Sequence, residues 1–206
     1  KFYNKELIIA DRNTTEGKDE QIIEEARSNE VAFLVIGDPF SATTHIQLFK
    51  LAKEKGVEVK VINNASVLTA VGITGLELYK FGKTTSIPFI EDHPNLETPY
   101  NVLKDNQSQG LHTLFLLDLK PNSDKFMKVK EAINILEQIE ARKAEKIIDK
   151  NTFAIGCARL SSDNYDIKSG KLTELKEHDF GSAPHCLVIP GNLHFIEKEM
   201  LDLWKL

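Results

Sequence analysis

Cysteine is scarce in this chain: Cys157 and Cys186 are the only two among 206 residues. Two are too few for the disulfide framework of a small secreted scaffold, and no Cys-x-x-Cys spacing offers a zinc or dithiol centre. Each sits in an apolar run, "AIGCARL" and "HCLVIP", and reads as a buried thiol in a reducing compartment; nothing requires a disulfide. Long apolar stretches are missing too. The apolar runs have the length of strands, too short to span a bilayer or to form a secretory leader, so we expect a soluble cytoplasmic protein with no membrane partner. Basic charge is not in excess: 26 Lys and Arg stand against 31 Asp and Glu, a net charge of −5. The lysines are interspersed with glutamates, as in "LAKEKGVEVK" and "EARKAEK". That is the pattern of solvated helix faces, and it speaks against nucleic acid as a partner. The six histidines show no i, i+4 pair with an acid on one helix, so no metal site is expected. Nucleophile-elbow, phosphate-loop and G-x-G-x-x-G signatures are absent, as are repeats and low-complexity tracts.

What is present is the composition of a chain that buries a core, 41 % apolar and 28 % charged. Strand-like runs alternate with amphipathic stretches. "LIIA" (residues 7–10), "VAFLVIG" (31–37) and "VEVKVI" (57–62) read as strands, the second apolar throughout like a parallel strand covered on both faces. "EQIIEEARSN" places Ile22, Ile23 and Ala26 on one helical face, and Ile46, Phe49 and Ala52 repeat the spacing. Ser41 or Thr43 is the expected cap of that second helix, and Gly56 its left-handed end. "NNASVLTAVGITGLELYKFG" begins as a helix and ends as a turn-rich connector. After Lys83 come a β-rich "TTSIPFI", a proline-containing loop "EDHPNLETPY", an apolar strand over 110–119 and a long amphipathic helix over 127–147. Strands over 153–160 and 185–191 and a closing helix in "HFIEKEMLDLWKL" follow. This βαβ rhythm predicts an α/β fold, with an N-terminal parallel α/β domain (residues 1–82) and a C-terminal mixed α/β domain (83–206). The abrupt opening "KFYNKELIIADR" leads us to expect that a first strand–helix unit is missing from the sequence, which leaves the N-terminal domain incomplete.

Two strand ends offer chemistry. In "VIGDPFSATTH" a buried strand ends in Gly37-Asp38-Pro39 and runs into a Ser/Thr-rich helix start. Ligands of open α/β sheets bind beyond the carboxyl ends of strands, where Gly37 allows close approach and Asp38 with helix-start N–H groups can hold polar atoms. The plainer reading makes Asp38 a turn residue. "NNASVLTA" repeats the situation after the next strand, with Asn64 and Ser66 as turn or cap residues. In "GLHTLFLLD", Leu117 and Asp118 end an apolar strand, and Leu117 taken alone is core. A lone histidine is usually structural, but His185 opens a strand and could face a crevice.

Taken together, "GDPFSATTH", "INNASVLTAVGITGLELYKFGKTTSIPF", "GLHTLFLLDL", "AIGCARL" and "HCLVIPGNLHFIEKEM" resemble the diphthine synthase family, in its order and spacing. The Gly-Asp-Pro turn alone would indicate only the broader tetrapyrrole methylase-like class. The resemblance implies two α/β domains with S-adenosyl-L-methionine folded in the cleft between them, and a homodimer. It also implies repeated methylation of the amine of a 3-amino-3-carboxypropyl histidine on translation elongation factor 2, in diphthamide biosynthesis. Archaeal members stop at the trimethylated amine, whereas eukaryotic members also esterify the carboxylate. Carried over by position, the cofactor-binding residues are Asp38 of the turn, Ser41 behind it, Ser66 and Val67 after the next strand, Leu117 at a strand end, and Ala158 and His185 in the C-terminal domain. The family's opening strand and glycine-rich turn have no counterpart. The absence of a triad or metal cluster agrees with methyl transfer from a sulfonium, which needs alignment rather than an enzyme nucleophile. Rival readings are a tetrapyrrole or precorrin-type methyltransferase of the same fold and a non-catalytic cofactor-binding module.

Overall fold

Residues 7–10, 19–91, 93–120 and 123–206 are described in the computed structural model. The chain divides into two units, Lys1–Leu68 and Thr69–Leu206. No helix among the described residues is long and apolar enough to cross a membrane.

The first unit holds helix α1 (Asp19–Ala26) packed against α2 (Ile46–Glu54). Ile23 and Ala52 are its buried apolar residues among those described. Gly56 takes a positive φ of 70° two residues after α2, as its position after a helix requires. The cap differs from expectation. The helix starts at Ile46 with His45 before it, and neither Ser41 nor Thr43 caps it. Ser41 is engaged elsewhere, because its hydroxyl donates to Asp38. The three runs read as strands, 7–10, 31–37 and 57–62, join no ladder among the described residues. Ile8, Ile36 and Ile62 are 91 %, 106 % and 76 % exposed. An apolar run becomes a strand only when neighbouring strands take its N–H and C=O groups and layers cover its faces. Among the described residues these runs have the composition for a sheet and lack both.

The short helix α3 (Val67–Ala70) and two 3₁₀ turns, Val71–Thr74 and Leu78–Lys80, lead into the second unit. There the chain forms β1 (Thr85–Ile87), α4 (Thr98–Ser108), β2 (Thr113–Leu117), a small ribbon of β3 (Leu119–Lys120) and β4 (Lys125–Phe126), then α5 (Val129–Lys143). It continues with β5 (Phe153–Ala158), β6 (Asp166–Lys171), α6 (Leu172–Glu177), β7 (His185–Ile189) and α7 (Phe195–Asp202). The main sheet runs β1-β2-β7-β5-β6, with β1 parallel to β2 and every other pair antiparallel. Order follows composition. β2 (TLFLL), β5 (FAIGCA) and β7 (HCLVI) are buried along almost their whole length and take the centre. β6 (DIKSGK) alternates and takes an edge.

One face of this sheet meets α4, α5 and α6. Ile87, Tyr100, Leu103, Phe115, Leu136, Ala158 and Leu187 form their common core. Each fully buried aliphatic or aromatic side chain there contributes about 1.5–3 kcal/mol. Helix α5 presents Val129, Ile133, Leu136 and Ile139 inward, as their spacing predicts. The other face carries Leu114, Ile155, Cys157, Cys186 and Val188, all buried. The Ser169 hydroxyl ties β6 to the end of α7 by donating to the Leu201 carbonyl (2.7 Å). Gly82 lies inside this unit and donates its N–H to the His112 carbonyl (2.9 Å). Helix α4 occupies part of the segment read as a loop, with Pro99 in its first turn, where a missing N–H costs nothing.

Candidate functional site

In the first unit, Gly37 has φ 84°, a conformation glycine adopts without strain, and a side chain there would meet the Ala65 carbonyl at 3.5 Å. The turn it makes brings Asp38 against the segment that precedes Ser66. One Asp38 oxygen accepts from the Phe40 N–H (3.0 Å) and the Ser41 hydroxyl (3.1 Å). The other accepts from the Asn63 amide (3.1 Å) and the Asn64 N–H (3.2 Å). These bonds, the Phe40 N–H foremost and then Asn63, hold the carboxyl at about 2, below its ordinary value. A carboxylate has about four acceptor positions, and here the protein uses them all. Asp38 therefore clasps the loop at residues 37–41 to the loop at residues 63–66. Ser66 caps α3, its hydroxyl accepting from the Leu68 N–H (3.1 Å), and Val67 is the first residue of that helix. The structure thus brings together Asp38, Ser41 and the Asn63–Ser66 loop; Asn63 belongs to the cluster and sequence reasoning passed over it.

In the second unit, Leu117 is the last residue of β2, opposite Ile87, with its side chain in the core. Only its main chain at the strand end remains to face a ligand. Ala158 and His185 lie directly opposite each other on β5 and β7. The His185 Nε2 donates to the Ser182 carbonyl (3.1 Å). Burial lowers the pKa of this imidazole, so it is neutral near pH 7 and its Nδ1 carries a lone pair. That Nδ1 is buried and has no hydrogen-bond partner. A buried acceptor left empty costs stability, so it marks a place for a donor. Beside it, Arg159, at φ 51°, donates to the Phe180 (2.6 Å) and Ser182 (2.5 Å) carbonyls and fixes the loop between them. Surface hollows lie elsewhere, one along residues 93–98 and one lined by Glu20, Gln21, Ile23, Glu24 and Lys55; neither holds any of these groups.

Sequence reasoning missed a densely bonded buried side chain of the second unit. Glu197, in the first turn of α7, is fully buried. One oxygen accepts from the Glu77 N–H (2.9 Å) and from His112 Nε2 (2.9 Å). The other accepts from the His194 N–H (2.7 Å) and forms a short ion pair with Lys80. His112 Nδ1 in turn accepts from the Gly191 N–H (3.0 Å), so the ring is neutral and its tautomer is fixed. Burial, its largest influence, also lowers the His112 pKa. Burial pushes the Glu197 carboxyl up, but Lys80 and the Glu77, His194 and His112 donors together outweigh it and leave the group at about 2. Three of the sequence fragments that carry the resemblance, "YKFG", "HTLFLLDL" and "HFIEKEM", meet on this one carboxylate. Among the described residues, no group of three His, Cys, Asp or Glu is placed to hold a metal.

The chain is similar to known proteins along most of its length. The family model of the tetrapyrrole (corrin/porphyrin) methylases matches residues 6–176. A diphthine synthase from Methanococcus vannielii is 46 % identical over 98 % of this chain and 79 % of its own length. A probable diphthine methyl ester synthase from Arabidopsis thaliana is 43 % identical over 100 % of this chain and 80 % of its own. A crystal structure of diphthine synthase superposes with a TM-score of 0.88 at 37 % identity, covering 99 % of this chain and 77 % of that one. On shared length, sequence and fold, the chain belongs to the tetrapyrrole (corrin/porphyrin) methylase family and to the diphthine synthases within it.

Proposed function

We propose that this methylase transfers methyl groups from S-adenosyl-L-methionine to the amine of a 3-amino-3-carboxypropyl histidine on translation elongation factor 2, repeatedly and on one nitrogen, in diphthamide biosynthesis. The reading rests on the similarity to diphthine synthases along almost the entire chain. We also propose a homodimer working in the cytoplasm.

The residues present fit this cofactor. His185 Nδ1 is a buried acceptor lacking a donor, and the exocyclic amine of adenine supplies one. The main chain at the end of β2 by Leu117 would meet the flat base, with Ala158 opposite His185. Asp38 and Ser41 hold the glycine turn beside the loop that leads to Ser66 and Val67. When bound, the cofactor supplies a methyl group made electrophilic by its sulfonium. The chain has to orient the accepting nitrogen in its neutral form and keep the methyl carbon aligned with it; such alignment accounts for several kcal/mol of barrier lowering. No side chain is assigned as an obligatory general base.

Mass spectrometry of elongation factor 2 carrying the modified histidine, after incubation with the enzyme and methyl-labelled cofactor, tests the assignment. Label on that histidine is the expected outcome. Label on a corrinoid or precorrin and none on the factor would replace it with the tetrapyrrole reading, which the family's description favours. Cofactor binding without transfer to either would favour a non-catalytic module.

A further inference from the structure

The only two cysteines of the chain are direct cross-strand partners. β5 and β7 are antiparallel, and their register sets Cys157 opposite Cys186. Directly opposed residues point to the same face of a sheet. The Arg159 N–H donates to the Pro184 carbonyl (2.8 Å), so position 159/184 belongs to the hydrogen-bonded class, and by alternation so does 157/186. Cα atoms of such pairs lie about 5.5 Å apart, within the range that a disulfide spans, and closing the bond draws the two Cβ atoms together from about 5 Å to about 4 Å. Both thiols are free and buried, at 0 % and 4 % exposure. They share an apolar face with Ile155, Ile167 and Val188, away from the helix-covered core. The contact with the Cys186 thiol and burial push the Cys157 pKa up, which keeps Cys157 protonated and slow to react while the sheet is closed.

We propose that Cys157 and Cys186 are an oxidation site at which a low-molecular-weight disulfide installs an internal cross-strand disulfide. Opening of the β5–β7 ladder exposes one thiol, which loses its proton and attacks the small disulfide. The attack forms a mixed disulfide and releases one small thiol. The facing cysteine then loses its proton, displaces the second small thiol and closes the protein disulfide. Two protons and two electrons leave the protein, and the reagent is reduced to two thiols. Because the opposed partner is already in place, the second step is intramolecular and the mixed disulfide does not accumulate. The bond locks the ladder one residue away from Ala158 and His185, at the end of β7 where the proposed cofactor groups sit. The proposal needs only the register and does not depend on the methyl-transfer reading.

The experiment refolds the full chain from denaturant in a glutathione buffer rich in the oxidised form, so that burial does not limit the outcome. Intact mass and a non-reducing peptide map then read the product. The expected product is two hydrogen atoms lighter, carries a linked 157–186 peptide, melts at a higher temperature and reverts with dithiothreitol. Cys157→Ser and Cys186→Ser each leave one thiol and are expected to stop at the glutathione adduct. Recovery of folded wild type with both thiols free, or with stable glutathione adducts and no linked peptide, would overturn the proposal.

Discussion

Replacing Glu197 with glutamine keeps the shape of the side chain and changes one acceptor oxygen into a donor. The buried carboxylate faces four donors: the Glu77 and His194 N–H groups, His112 Nε2 and Lys80. Whichever oxygen becomes the amide, two donors then confront a third donor, and Lys80 loses its counter-charge. The carboxyl is held at about 2 against an ordinary 4.5, which corresponds to roughly 3 kcal/mol of stability at neutral pH. Breaking one partner of a buried pair costs about 3–5 kcal/mol. The Lys80 side chain keeps 21 % of its surface exposed, so solvent screens part of the loss. We expect about 3 kcal/mol, or a melting midpoint roughly 6–12 °C lower. The sign of the pH dependence follows from the lowered pKa. The contribution of Glu197 is complete above about 4.5 and is lost as pH falls from there through about 2. Melting curves by circular dichroism from pH 7 downward should therefore show the gap between wild type and E197Q closing below about pH 4.5. His112, whose pKa is also lowered, adds a loss of stability beginning below about 6.5, and this loss is larger in E197Q because the Glu197 charge no longer raises the His112 pKa. A gap under about 0.5 kcal/mol at pH 7, or one that stays constant down to pH 2, would refute the reasoning.

Three further outcomes are expected. Asp38→Asn sets an amide against the Asn63 and Asn64 donors and should unclasp the loops, weakening S-adenosylhomocysteine binding by roughly tenfold or more in calorimetric titration; unchanged affinity with a lowered melting midpoint would make Asp38 purely structural. His185→Leu removes the unpartnered acceptor; we expect a melting change within about 1 kcal/mol and an affinity loss of roughly five- to thirtyfold, since a ligand donor is left unpaired. Gly75→Ala forces a side chain into a φ of 92° and to within 2.2 Å of the Met200 side chain, which should cost about 2 kcal/mol or more in urea titration and leave binding per folded molecule unchanged.

The central strands of the second unit were legible because they are apolar on both faces, and pattern is enough to mark a strand that every neighbour covers. Helix α5 was legible for the same reason, through its inward stripe. β6 was not, since Asp166, Lys168 and Gly170 give an edge strand no apolar run. α4 was hidden by Pro99, which reads as a loop unless its place in a first helical turn is known. Residues 31–37 and 57–62 failed in the opposite direction: hydrophobicity was visible, but the ladder partners that make a strand are not a property of the run itself. At the site, the glycine turn, Asp38 and the Ser66 cap were readable from local chemistry, whereas Asn63 entered only through its bond to Asp38. Glu197 looks in sequence like any acid near a lysine on a solvated helix. Its burial depends on Glu77, Lys80 and His112, which lie far from it along the chain.

The clasp at Asp38 has a kinetic meaning as well. Since its lone pairs are satisfied before any ligand arrives, the two loops have no electrostatic reason to rearrange on encounter, and their ordering is completed during folding. An incoming molecule meets loops that are already held in place. Association with such loops should proceed in one step, at a rate set by diffusion and orientation, with no slow isomerisation after contact.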